Sequence, residues 1–245
     1  MSVIIVIKIG GLSKDHLTQK FFDTVKYWQS KNKKIVIVHG GGAYITEMLS
    51  QLMIETKTCD GLRVTDEHVL DVTRMVLIGK ILPEMTTMFN KYGCPSVGIN
   101  ASDQECLKGE AINFSKYGYV GQITDVNEEI FYHLFEQNII PIISPLCLTD
   151  DQQWLNVNAD TTACAIASAL KAEKLYLMTD VPGIKSKDEW LETASVSEIV
   201  NLMNSGIITS GMIPKVTNAI LALKKGVGMV SITQSIWESG TNIIS

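Results

Sequence analysis

Short apolar runs rich in valine and isoleucine recur from one end of the chain to the other, separated by stretches of helical period. Residues 3–9, 35–38, 97–99, 139–143, 175–178 and 229–232 are apolar at most successive positions rather than at alternate ones. That is the pattern of strands covered on both faces. Between them, Ala163, Ile166, Ala167 and Leu170 recur at i, i+3, i+4, i+7 within residues 160–171. Val216, Ala219, Ile220 and Leu223 do the same within 212–225, and Val69, Val72 and Val76 share one face of 66–78. Each set makes the apolar stripe of a helix lying on a core. Strand and helix in alternation imply right-handed crossovers and an α/β fold with a mostly parallel sheet. Residues 57–63 and 112–127 carry turn residues and polar alternation, and are expected as hairpins outside that sheet. No repeat or long linker interrupts the pattern.

Composition narrows the function classes. The 245 residues are 46% apolar and 19% charged, enough for a substantial core in one large domain or two lobes. With 21 Lys and Arg against 26 Asp and Glu, the net charge is −5, which argues against a general nucleic-acid surface. A small anion needs only a few local cations and stays possible. The N-terminal apolar run stops at Lys8, and no stretch approaches the roughly 20 apolar residues of a membrane span. Five cysteines (Cys59, Cys94, Cys106, Cys147 and Cys164) without a CxxC pair fit reduced thiols and give no metal signature. A cytoplasmic protein, not bound to membrane or nucleic acid, is expected.

Ligands of open α/β sheets bind beyond the carboxyl ends of the strands, so the residues that follow each strand matter most. The first strand ends in Lys8-Ile9-Gly10-Gly11 and the second in His39-Gly40-Gly41-Gly42, which runs straight into a helical pattern. Glycines there let backbone N–H groups approach an anion, though Gly-Gly also marks ordinary turns. His39 reads as a structural partner at the strand end. In Gly61-Leu62-Arg63-Val64-Thr65-Asp66, Thr65 or Asp66 can cap the next helix, and Arg63 is either a fork for a carboxylate or an exposed surface arginine. Asn156-Val157-Asn158-Ala159-Asp160 sets two amides two residues apart, which in an extended strand puts both on one side. Asp160 is then an N-cap or something more. Pro182-Gly183 is a plausible plain turn. Lys215 lies in the first turn of a helix, against the helix dipole, unless an anion compensates. P-loop, GxGxxG, GxSxG and HExxH patterns do not occur.

Taken in order, these motifs, with Asp180–Ile184, Gly211–Lys215 and Gly240-Thr241, resemble the amino-acid kinase superfamily. Within it they are most similar to the branch that phosphorylates the side-chain carboxylate of N-acetyl-L-glutamate for arginine biosynthesis. The resemblance implies a three-layer αβα sandwich around a mostly parallel sheet of roughly eight strands. It implies an N-terminal lobe (1–172) for the acyl amino acid and dimerisation, and a C-terminal lobe (173–245) for ATP. It also implies the roles. Lys8 and Lys215 would neutralise the phosphoryl group in flight, with Asp160 ordering them. Gly11, Gly41 and Gly42 would offer amides on the substrate side, while Arg63, Asn156 and Asn158 would hold the acyl amino acid. Asp180, Val181, Pro182, Gly183, Ile184, Lys185, Ile207, Ile208 and Thr209 would line the nucleotide. Mg²⁺ would come with the ATP phosphates, and no protein metal site is expected. Residues 98–103 lack the family's glycine-rich pattern, and only Asp103 fits, so that loop is given no role. The chain starts close to Lys8, leaving no room for the helix that links dimers into hexamers in arginine-inhibited members. A homodimer through 66–80, without strong arginine inhibition, is therefore expected. The rivals are an acylated α-aminoadipate kinase of lysine biosynthesis and a non-catalytic amino-acid sensor on the same fold.

Overall fold

A computed structural model describes residues 3–10, 17–186, 189–208, 211–238 and 240–245. All six predicted strands form, each within a residue of its expected bounds, and they join one sheet. Its order is Thr193–Ser195, Thr241–Ile244, Met229–Thr233, Lys174–Met178, Ile4–Ile9, Lys34–His39, Ile140–Ile143, Ser96–Ile99. Met229–Thr233 and Thr241–Ile244 pair antiparallel; the other registers described for this sheet are parallel. Ile4–Ile9 is buried at all six positions and Lys34–His39 at all but the first. Both faces of the sheet centre are therefore covered, the condition under which a parallel sheet persists.

The chain divides into two compact units. One comprises Met1–Ile9, Ser13–Val36 and Ala163–Ser245; the other comprises Gly10–Leu12 and Ile37–Thr162. This differs from a single cut after residue 172. The strand Ile4–Ile9 pairs with Lys174–Met178, which draws the N-terminal segment into the unit that holds the C-terminal third. In that unit, Phe21, Phe22 and Val25 of helix Gln19–Ser30 are buried. In the other, Phe89 and Phe131 are completely buried.

The second unit adds a four-stranded sheet of order Trp154–Asn156, Leu146–Leu148, Leu107–Ala111, Gly121–Val126. The expected hairpin at 57–63 forms: Thr58–Cys59 pairs with Leu62–Arg63. Its turn residues Asp60 and Gly61 have φ of 50° and 77°, the left-handed pair that matches strand twist in tight hairpins. The hairpin expected at 112–127 is corrected. Gly121–Val126 pairs with Leu107–Ala111, and the segment between holds the helical turn Phe114–Tyr117. Asn113 starts that turn by accepting the Lys116 N–H on its Oδ1 at 3.1 Å, a local bond that competes with strand pairing.

The helix expected over 66–78 is longer. Glu67–Arg74 is α-helical, Met75–Ile81 opens into a π-helical stretch, and Leu82–Lys91 continues it. Pro83 lacks an N–H and its ring crowds the carbonyl four residues back, which accounts for a widened turn next to it.

Candidate active site

In the unit built from 37–162, Gly41 and Gly42 follow the strand Lys34–His39 and open helix Gly42–Gln51, which has no side-chain cap. The two glycines differ. A Cβ on Gly41 would lie 2.5 Å from Leu77 Cδ2 and 2.8 Å from Ile81 Cδ1, whereas one on Gly42 would meet nothing. Gly41 thus has a packing reason, and Gly42 leaves the helix start open. His39 is buried and its Nδ1 lies 3.0 Å from the Gly40 carbonyl. Burial pushes this imidazole down to about 4, so it is neutral at physiological pH, consistent with a structural role.

Arg63 is half-buried at the end of the hairpin. Its Nη2 donates to the Gly42 carbonyl at 3.1 Å and to Thr46 Oγ1 at 2.8 Å, so it reaches the glycine-rich helix start instead of lying loose on the surface. Partial burial lowers its pKa from the usual guanidinium range. Thr65 is completely buried; its Oγ1 donates to the Arg63 carbonyl at 2.9 Å and accepts from Asn156 Nδ2 at 3.1 Å. Asp66, not Thr65, caps the helix, accepting the Val69 N–H at 2.9 Å. The hairpin tip is clasped as well, Asp60 Oδ2 accepting from Lys116 Nζ at 2.5 Å and Tyr117 Oη at 2.7 Å. Both partners hold the Asp60 carboxyl below its ordinary value, Lys116 the more. Sequence offered Thr65 only as a cap and gave Asp60, Lys116 and Tyr117 no role. Only the Asp60-Gly61 turn pair signalled the tip, since the Lys116 contact spans 56 residues.

Asn156 closes its short strand, but Asn158 does not extend it. The Asn158 Oδ1 accepts the N–H groups of Asp160 at 2.9 Å and Thr161 at 3.2 Å, making it the cap of helix Ala159–Ala169. The two amides therefore do not share one strand face, and Asp160 is not the N-cap. Asp160 is buried in the first turn of that helix, where the dipole favours a carboxylate. In the loop 98–103, Asp103 Oδ2 accepts from the Asn100 N–H and Nδ2 at 2.8 and 2.9 Å, which gives it a local turn-forming role.

In the other unit, Lys8 is 8% exposed near the carboxyl end of a central strand, opposite Leu177. An ammonium buried this deeply requires polar partners. Helix Ile213–Lys224 precedes the parallel strand Met229–Thr233 and therefore runs against it, which puts its first turn at the carboxyl edge of the sheet. That turn carries half-buried Lys215, Pro at the start, no acidic residue and no side-chain cap. Of the residues expected around the nucleotide, Asp180, Pro182, Lys185 and Ile207 are exposed and Val181 is half-buried. Gly183, Ile184 and Ile208 are buried. The Ile184 N–H donates to Thr241 Oγ1 at 2.8 Å, and that hydroxyl donates to the Leu191 carbonyl at 2.6 Å. A Cβ on Gly183 would lie 2.6 Å from the same hydroxyl. Ser186, Leu191, Thr193, Ala194, Glu198, Asn201 and Leu202 line a cavity of about 230 Å³. Gly11 and Thr209 lie outside the described residues. Among the described residues no cluster of three His, Cys, Asp or Glu side chains is placed to hold a metal, and no helix is long and apolar enough to cross a membrane.

Comparison with known proteins gives the family and the fold. The amino acid kinase family matches residues 3–234. The acetylglutamate kinase of Listeria welshimeri is 49% identical over 245 residues, all of this chain and 98% of that protein. That of Leuconostoc citreum is 42% identical, covering 98% of each. The crystal structure of smu.665 from Streptococcus mutans superposes with a TM-score of 0.93 at 32% identity over 98% of both chains. With the family matched over nearly the whole chain and the fold shared from end to end, this chain belongs to the amino acid kinase family.

Proposed function

We propose that this chain transfers the γ-phosphoryl group of ATP to the side-chain carboxylate of N-acetyl-L-glutamate, giving N-acetyl-L-glutamyl 5-phosphate and ADP for arginine biosynthesis. The observation that carries the reading is the 49% identity to an acetylglutamate kinase along the entire chain. The site's chemistry supports it. A carboxylate is already ionised at neutral pH and attacks without a general base. A carboxylate oxygen forms the new P–O bond while the bond to the β-phosphate oxygen breaks, and ADP leaves with that electron pair. What the protein supplies is alignment and charge. On this reading Lys8 and Lys215 are the cations that neutralise the transferring group, Asp160 is the carboxylate that orders them, and Gly11, Gly41 and Gly42 are the amide donors on the acceptor side. Arg63, with Asn156 and Asn158, holds the acyl amino acid. Residues 180–185 and 207–209 line the nucleotide, and the cavity between Ser186 and Leu202 is next to them in sequence and suits part of it. Ammonium and amide donors fit phosphate oxygens better than they fit a metal, so Mg²⁺ enters with the nucleotide.

The reading includes a homodimer through residues 66–80, where Met75 is 66% exposed, in the cytoplasm. Pure protein, ATP, Mg²⁺, N-acetyl-L-glutamate and hydroxylamine should yield an acyl hydroxamate. No hydroxamate overturns the reading in favour of a sensor. A higher kcat/KM for acylated α-aminoadipate overturns the choice of acid, which differs by one methylene worth about 1–3 kcal/mol.

A further inference from the structure

At the opposite, amino-terminal edge of the large sheet, three turns feed neighbouring parallel strands. Backbone bonds set them side by side. The Lys34 N–H donates to the Val3 carbonyl at 2.8 Å, that of Glu173 to Ile4 at 2.9 Å, and that of Gly228 to Ala172 at 3.0 Å. Lys174 is in register with both Ile5 and Met229. Strands about 4.8 Å apart put the starts of Met229–Thr233 and Lys34–His39 roughly 14 Å from each other across three spacings. Into this width the sequence places Lys31, Lys33, Lys34, Lys171, Lys174, Lys224 and Lys225, beside Glu173 in the turn before Lys174. The clustering is unusual in a chain of net charge −5.

Side chains tie these turns together. Lys171 Nζ donates to the Lys225 carbonyl at 3.1 Å, joining two of the turns. Lys174 is half-buried with its Nζ 4.5 Å from the centre of the Tyr176 ring, which stacks on Trp28 at 5.6 Å. Burial, and then the Lys33 charge, lower the Lys174 ammonium below its usual range, and Glu173 offsets part of this. Among the described residues, ion pairs involve none of Lys31, Lys33, Lys171, Lys174, Lys224 and Lys225. Convergent cations without paired carboxylates form a positive field that attracts anions.

We propose that this edge binds a compact multivalent anion, a short chain of phosphates lying between Lys33 and Lys174 on one side and Lys171 and Lys225 on the other. A monovalent anion would leave most of the repulsion in place. A long polyanion would need a track of cations rather than a cluster. The site lies at the other ends of the strands from Lys8 and is independent of the phosphoryl-transfer reading.

The probe is sodium tripolyphosphate, titrated calorimetrically into the whole chain saturated with a non-hydrolysable MgATP analogue, so that the nucleotide site is filled. Saturable binding is expected at low salt, weakening as salt rises. It should weaken about tenfold in Lys33→Gln/Lys174→Gln and about threefold in Lys31→Gln/Lys225→Gln. If the half-buried double variant does not fold, the exposed pair carries the test. Absence of saturable binding overturns the proposal, as does affinity unchanged in the folded variants, or binding of heparin without binding of tripolyphosphate.

Discussion

Around Arg63, side chains are bound to one another across long stretches of sequence. Arg63 reaches Gly42 and Thr46, Asn156 reaches Thr65, and Asp60 reaches Lys116 and Tyr117. Around residues 180–185, among the described residues, the fixed points come chiefly from the backbone and from Thr241, while Asp180, Pro182 and Lys185 stay exposed. The contrast follows from what each region is proposed to hold. A small acid is distinguished from its neighbours by a few polar groups, and these bind selectively only when set in advance. A nucleotide offers many phosphate oxygens and a flat base, which backbone amides and apolar walls accommodate.

The largest test of this contrast is Lys8→Met, which keeps the side-chain length and removes the charge. On the proposed reaction kcat should fall about 10²–10³-fold, read by hydroxamate formation; a loss confined to KM would remove Lys8 from the transferring group. Next comes pH. His39 is neutral when folded, its pKa depressed from 6.5 to about 4. Between those values the unfolded chain takes up a proton that the folded chain does not. This contribution is therefore complete above pH 6.5 and is lost as pH falls toward 4, amounting to roughly 3 kcal/mol. Urea midpoints at pH 7, 5.5 and 4.5 should fall more steeply for the wild type than for His39→Gln, and parallel curves would refute the assignment.

Arg63→Ala should raise KM for the acyl amino acid about ten- to a hundredfold, the range of a charge-assisted hydrogen bond, while KM for ATP stays put. Equal rises in both would erase the distinction between the regions. Gly41→Ala must displace Leu77 and Ile81, and should cost about 1–3 kcal/mol in a thermal or urea melt; Gly42→Ala, with open space around it, should be near neutral. The smallest effect belongs to Asp60→Asn. Its ion pair is exposed and screened by water, so a few-fold rise in KM for the acid is expected, and Lys116→Met should reproduce it.

Much of the fold was legible because central parallel strands are apolar on both faces and show as continuous runs, as Ile4–Ile9 does. The strands of the small sheet were not, since Leu107–Ala111 carries Lys108, Gly109 and Glu110 and is held by partners distant in sequence. The π-helical stretch escaped because seven residues are too few to separate its period from 3.6. At the site, the positions of Lys8, Arg63 and Lys215 relative to strand and helix ends could be read from pattern. What Gly41 and Asn158 do could not: one answers to Leu77 and Ile81, far along the chain, and the other to the exact start of a helix.

Thr241 carries a consequence for anyone re-engineering the chain. One hydroxyl, in the last strand, both receives the Ile184 amide and reaches the Leu191 carbonyl. Valine has nearly the same outline and would lose both bonds at once. Circular permutants should avoid new ends beside this strand, and a truncation before residue 241 would release the loop at 183–191 from its anchor while leaving the central strands intact.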